Sequence, residues 1–154
     1  MTKILFICLG NICRSPMAEF IMKDLVKKAG LEQEFMIDSR ATSTEETGNP
    51  IHRGTMGIFK KYQIPCTGHR AQQMSRQDYE TYDYLIGMDQ SNIRNMTRIA
   101  GGDPEKKIYK LMEFTGSGRD VADPWYTGDF EATYRDVSEG CQALLEKLKG
   151  NLAR

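Results

Sequence analysis

The chain has 154 residues, with 21 lysines and arginines against 21 aspartates and glutamates, so its formal net charge is zero. That length suits one domain, residues 1–154, with a real core. The balanced charge, without a long run of one sign, offers nothing to nucleic acid or to an anionic membrane. The early apolar run Ile4-Leu5-Phe6-Ile7-Cys8-Leu9 is far shorter than the roughly 20 residues of a spanning helix, and no small-residue cleavage site follows it, so a soluble, cytoplasmic protein is expected.

Lys3 to Cys8 is continuous, apolar and rich in β-formers, which suits a strand buried on both faces. Gly10 and Asn11 break that pattern, and Gly10 permits unusual backbone angles. Ser15-Pro16 then reads as a helix start, with serine as cap and proline in the first position. From Met17 to Ala29, Phe20, Ile21, Leu25 and Val26 recur at helical spacing, and Gly30 ends the segment. Phe35 to Ser39 reads as a second strand, and Ile51 to Tyr62 as a helix with Met56, Ile58 and Phe59 as its apolar positions. Tyr82 to Met88 follows as a third strand, then a helix from Asp89 to Ile99 capped by Asp89 or Ser91. Lys107 to Leu111 makes a short fourth strand. Phe114 to Asp129 is a glycine-rich loop. Phe130 to Leu148 is a closing helix with Tyr134, Val137, Cys141, Leu144, Leu145 and Leu148 on one face. Alternation of this kind predicts an α/β fold: a four-stranded parallel sheet with helices on both faces, Rossmann-like in its layering. Ligands of such sheets sit at the carboxyl ends of strands, where residues 8–15 lie.

Residues 8–15 read Cys8-Leu9-Gly10-Asn11-Ile12-Cys13-Arg14-Ser15. In a strand–loop–helix setting, the N–H groups of such a loop can curl round an anion, helped by the positive end of the helix. A thiol at Cys8, beside an arginine and a helix start, is favoured as the thiolate. Arg14 can grip two phosphate oxygens at once, which lysine cannot. Cys-x5-Arg spacing lets the sulfur lie beneath a phosphorus, and Ser15 can hydrogen-bond the sulfur as it leaves. The plain alternative makes Cys8 a buried strand-end residue, a common place for free cysteine; Arg14 at a helix start opposes the helix dipole, which speaks against a merely structural role.

The chain has four cysteines, Cys8, Cys13, Cys66 and Cys141. In a chain of this size without a secretory signal, reduced thiols are expected. Cys-x2-Cys is absent and His52 and His69 lie apart, so neither a metal nor another cofactor is expected. Cleaving a phosphate ester needs a proton for the leaving oxygen. Asp103-Pro104 and Asp123-Pro124 both offer a carboxylate on stiffened backbone, and the residues alone do not separate them.

The loop and its continuation Pro16-Met17-Ala18-Glu19 resemble the signature of the low-molecular-weight protein tyrosine phosphatases. Asp38-Ser39-Arg40-Ala41-Thr42-Ser43, Gly48-Asn49-Pro50, His69-Arg70-Ala71, Asp83-Tyr84, Met88-Asp89-Gln90-Ser91-Asn92 and Asp123-Pro124-Trp125-Tyr126 resemble further segments of that family in the same order. The resemblance implies the phosphotyrosine phosphatase I fold and a cysteinyl-phosphate mechanism. It assigns Cys8 as nucleophile, Arg14 as phosphate clamp and Asp123 as general acid and then base. Leu9, Gly10, Asn11, Ile12, Cys13 and Ser15 would surround the phosphate. Asn11, Ser39 and His69 would form a network supporting the loop, and Asp89 would cap its helix, orient Arg14, or both. Trp125 and Tyr126 would wall the substrate slot. The opposite wall departs from the family, with Glu45 where Trp or Tyr is common, so weaker stacking on a phenyl ring is expected. Apart from the resemblance, Cys13 lies five residues after Cys8 in one tight loop, where it either packs or shelters Cys8 through a reversible disulfide.

The implied substrates are tyrosine-phosphorylated proteins or small aryl phosphates, with inorganic phosphate also held in the loop. The chain is expected to be a monomer or to self-associate weakly. A protein-arginine phosphatase is the first alternative, although relatives of that kind tend to carry threonine in place of Ile12. Arsenate reductase is the second, and it needs a cysteine relay that residues 82–99 lack.

Overall fold

The protein is described here by a computed structural model covering residues 1–152. Among these residues the sheet has four strands: β1 (Thr2–Cys8), β2 (Phe35–Ala41), β3 (Tyr84–Gly87) and β4 (Ile108–Lys110). They are all parallel, in the order β2-β1-β3-β4. β1 is central, which explains its unbroken apolar run: Ile4, Leu5, Phe6 and Ile7 are all fully buried. Side chains alternate across a strand. Ile4, Phe6 and Cys8 therefore enter one core with α1 (Arg14–Lys28), α2 (Arg53–Lys61) and α6 (Phe130–Leu152), while Leu5 and Ile7 enter another with α3 (Arg76–Thr81) and α4 (Gln90–Ala100). The sheet is thus covered on both faces, as the alternating pattern predicts. No helix among the described residues is long and apolar enough to cross a membrane.

Several boundaries differ from expectation for local reasons. α1 begins at Arg14, with Cys13 in the capping position and no side-chain cap. Ser15 is not the cap, because its hydroxyl turns towards Cys8 and Asn11 instead. Pro16 then occupies the third helical position, where its missing N–H would still have lacked a partner. α2 starts at Arg53, capped by His52, and not at Ile51. β2 runs on to Ala41. β3 is shorter than Tyr82 to Met88, because Tyr82 ends α3 and the Met88 N–H is taken by Asn92 Oδ1. β4 is similarly short, since Leu111 opens a 3-10 turn, Leu111–Thr115. Asp89, not Ser91, caps α4: its Oδ1 accepts from the Asn92 N–H at 2.8 Å.

Two helices were not foreseen. α3 has six residues and buries only Tyr79, too little for an apolar stripe, although its Ser75/Asp78 capping box was readable. α5 (Pro124–Thr127) interrupts the glycine-rich loop, capped by Asp123. α6 extends past Leu148 to Leu152.

Candidate active site

β1 ends at Cys8 and α1 begins at Arg14, so the loop between them lies at the carboxyl edge of the sheet. Cys8 Sγ lies 3.1 Å from Ser15 Oγ and accepts from the Asn11 N–H at 3.3 Å. The left-handed residue is Asn11, at φ 60°, not Gly10. Asparagine tolerates that conformation better than most residues do. Glycine at position 10 serves closeness, since a Cβ there would stand 3.2 Å from Glu46 Cγ.

Neighbouring elements seize the loop carbonyls. Asn11 O accepts from His69 Nε2 at 2.9 Å, and Ile12 O accepts from the His52 N–H at 2.9 Å. Cys13 O accepts from the Met17 N–H at 3.2 Å and from Thr55 Oγ1 at 3.2 Å. A trans peptide points its N–H opposite its C=O. Drawing these carbonyls outward therefore turns the N–H groups of Ile12, Cys13 and Arg14 inward, as an oxyanion requires.

Behind the loop lies a chain of buried hydrogen bonds. Asn11 Nδ2 donates to Ser15 Oγ at 2.8 Å and to Ser39 Oγ at 2.9 Å. Asn11 Oδ1 accepts from the Gln72 N–H at 3.1 Å. Ser39 Oγ donates to Glu19 Oε1 at 2.6 Å, and Lys23 Nζ donates to Glu19 Oε2 at 2.5 Å. The side chains of Asn11 and Ser15 thus stand under the cradle and do not line it. Both belong with Ser39 and His69 as supports.

The Arg14 guanidinium is only 2% exposed. Its Nη1 donates to Asp89 Oδ2 and to Val121 O, each at 2.8 Å, and its Nη2 approaches Asp123 Oδ2 at 3.4 Å. Burial alone would pull this guanidinium down, but Cys8, Asp89 and Asp123 outweigh it and hold it above the usual arginine range. Asp89 therefore both caps α4 and orients Arg14. Asp123 Oδ1 accepts from the Trp125 N–H at 3.0 Å. Asp103 serves elsewhere, accepting from Tyr79 Oη at 2.7 Å and from the Lys107 N–H at 2.8 Å. Cys13 is buried, and burial, with Cys8 and Asp123 nearby, pushes its thiol from 9.0 up to about 12.

The pocket over the sulfur brings together Cys8, Leu9, Gly10, Ile12, Cys13, Arg14 and Asp123 with Trp125, Tyr126, Ser43, Glu45 and Glu46. Trp125 is 57% and Tyr126 76% exposed, so both form the rim. Among the described residues, no group of three or more His, Cys, Asp or Glu side chains is placed to hold a metal ion.

Reading the residues in order missed Glu19, Gln72, Val121, Thr55 and Glu46. Glu19 reads as an ordinary acidic residue near a helix start, and Val121 contributes only a carbonyl. No local signal marks Val121. Glu19 closes the motif Pro16-Met17-Ala18-Glu19 and stands i, i+4 from Lys23, but neither pattern tells of its bond to Ser39.

Residues 3–154 match the family described as low molecular weight phosphotyrosine protein phosphatase. The chain is 41% identical over 151 residues to the low molecular weight protein-tyrosine-phosphatase YfkJ of Bacillus subtilis, covering 97% of each. The solved low molecular weight protein tyrosine phosphatase SP-PTP of Streptococcus pyogenes superimposes with a TM-score of 0.87 at 48% identity, over 96% of this chain and 93% of that one. A drosophila arginine phosphatase superimposes with a TM-score of 0.88 at 30% identity, over 96% of this chain and 98% of that one.

Proposed function

Since the chain belongs to the low-molecular-weight phosphotyrosine protein phosphatases, we propose that Cys8, Arg14 and Asp123 carry its phosphatase reaction, with phosphotyrosine as the substrate. The observation that supports this most is the convergence of the Cys8 sulfur, the Arg14 guanidinium and the Asp123 carboxyl in one pocket. The phosphate enters the loop, where Arg14 and the inward N–H groups bind its oxygens. Cys8 Sγ attacks phosphorus and forms the S–P bond. The P–O bond to the phenol breaks as Asp123 gives its proton to that oxygen. A water then attacks phosphorus, Asp123 takes the water's proton, and the S–P bond breaks. Ser15 Oγ, 3.1 Å from the sulfur, donates to the departing thiolate. The positive field comes from Arg14 and the backbone, and no step calls for a metal.

Trp125 and Tyr126 supply a flat apolar side for an aromatic ring, and Ile12 lines the same pocket. The likeness to an arginine phosphatase, with Glu45 and Glu46 lining the pocket, favours phosphoarginine as the second reading. In the cytoplasm, the substrates would be tyrosine-phosphorylated proteins, met by a single phosphatase domain that acts without membrane or nucleic acid. Peroxide would convert Cys8 to a sulfenic acid, and the Cys13 thiol would displace water from it to close a disulfide.

Hydrolysis of phosphotyrosine and phosphoarginine peptides by the protein and by Cys8→Ser tests the assignment. Release of phosphate from phosphotyrosine should exceed that from phosphoarginine, and Cys8→Ser should bind phosphate and release none. Turnover by Cys8→Ser, or a preference for phosphoarginine, would overturn it.

A further inference from the structure

His52 joins four parts of the molecule. Its backbone N–H holds Ile12 O of the phosphate loop at 2.9 Å, and its own carbonyl accepts from the Met56 N–H in α2 at 3.0 Å. Its Nδ1 accepts from the Gly54 N–H at 2.9 Å, so it caps α2. The ring stacks on Phe130 of α6, with centroids 5.2 Å apart and planes at 15°. It meets Trp125 of α5 edge to face, at 5.6 Å and 75°. A Cβ at Gly54 would run into the Phe130 ring, so this glycine keeps the stack closed.

The acid loop is anchored upstream at Val121, whose N–H donates to Met88 O at 2.9 Å and whose carbonyl accepts from Arg14 Nη1 at 2.8 Å, but the stretch around Asp123 itself has few other holds. α5 has four residues, far too few to be stable alone. Arg14 Nη2 reaches Asp123 only at 3.4 Å. Thr133 Oγ1 donates to Ala122 O at 3.3 Å. The Trp125 N–H bonds Asp123 Oδ1 at 3.0 Å, so the place of Trp125 sets the place of the carboxyl.

We propose that His52 is a positioning residue: its ring, braced on Phe130, holds Trp125 and through it sets Asp123 over the phosphate loop. The proposal rests on Asp123 being the general acid. His52 itself touches neither substrate nor reacting atoms. Its two jobs need different features: the cap needs an acceptor at the position of Nδ1, and the positioning needs an aromatic ring against Phe130 and Trp125.

Two variants use that separation. His52→Asn keeps a capping acceptor and loses the ring, while His52→Phe keeps a ring and loses the acceptor. The readout is kcat/KM for phenyl phosphate and for p-nitrophenyl phosphate, with the urea midpoint measured alongside. Phenol needs the acid's proton to leave, whereas p-nitrophenolate leaves with little help. His52→Asn should lower kcat/KM about tenfold for phenyl phosphate and less than about threefold for p-nitrophenyl phosphate, with little change in midpoint. His52→Phe should keep the ratio of the two substrates within about twofold while lowering the midpoint. Equal loss on both substrates in His52→Asn, no loss on either, or the same shifted ratio in His52→Phe would overturn the proposal. Asp123→Asn is the reference. If it widens the ratio and His52→Asn does not, only the role of His52 fails; if it leaves the ratio unchanged, the acid assignment itself fails.

Discussion

The two sides of the pocket differ in how their side chains are held. In the phosphate loop, Asn11, Arg14 and Ser15 are almost wholly buried, and their polar groups are bonded to Ser39, Gln72, Asp89 and Val121. At the rim, Trp125 and Tyr126 leave more than half of their surface to solvent, and Glu45 is also exposed. Phosphate is the same in every substrate, so a cradle formed before binding loses nothing to adaptation and stabilises charge without reorganising. Peptides differ, and a rim of exposed side chains can adjust to them. Asp123 sits between the two regimes, tied to Arg14 on one side and to Trp125 on the other.

Changes to the cradle should therefore cost much more than changes to the rim. The largest effect is expected from Asn11→Ala. It places a Cβ-bearing residue without a compensating polar group at φ 60° and strips the bonds to Ser15, Ser39 and Gln72. Urea unfolding should show a loss of about 3 kcal/mol, with kcat/KM falling at least tenfold. Asn11→Gly should recover the backbone part of the stability and not the activity. If Asn11→Ala unfolds at the wild-type midpoint, the cradle is not held in the way described.

Cys13→Ser probes the cradle by oxidation. After brief peroxide exposure the parent protein should regain most of its activity with a thiol reductant, and Cys13→Ser should regain little. Equal recovery would remove Cys13 from any protective role. Because burial keeps the Cys13 thiol protonated at neutral pH, closure of the disulfide should be slow and should quicken as pH rises.

The same burial predicts a modest loss of stability in alkali. The native Cys13 thiol titrates at about 12 against an ordinary 9.0, so the folded state holds the proton more tightly. Its stabilisation is complete below pH 9 and is lost as pH rises towards 12. By pH 10 the cost should be about 1 kcal/mol, read as a lower urea midpoint than at pH 8. Cys13→Ser should remove that part of the decline.

The smallest effect belongs to the rim. Glu45→Trp should raise kcat/KM for aryl phosphates by about threefold, through stacking worth roughly 0.5–1 kcal/mol, with an unchanged unfolding midpoint. No change in kcat/KM would mean that this wall does not touch the ring.

Much of this was readable along the chain. The apolar run of β1 announced a central strand, because burial on both faces leaves no room for alternation. The Asp89 cap of α4 and the Cys-x5-Arg loop were also local patterns. Other features were hidden because their signal is not local. α3 buries too little for periodicity to reveal it. Ser15-Pro16 looked like a cap until the fold turned the hydroxyl to the sulfur. Glu19 and His52 looked ordinary because what matters is the partner each meets across the fold.

Local sequence thus determined the strand, the loop and the helix that carry the proposed nucleophile and clamp, since a handful of adjacent residues set their backbone and charge. Which carboxylates reach them is a matter of tertiary structure, which the residues alone left open between two Asp-Pro pairs and only the family resemblance had narrowed. Asp89 and Asp123 reach Arg14 across 75 and 109 residues of chain, and Asp103, in an identical Asp-Pro pair, is spent on Tyr79 and Lys107. A carboxylate's chemistry depends on what lies within a few ångströms of it, and only the packing of distant elements settles that.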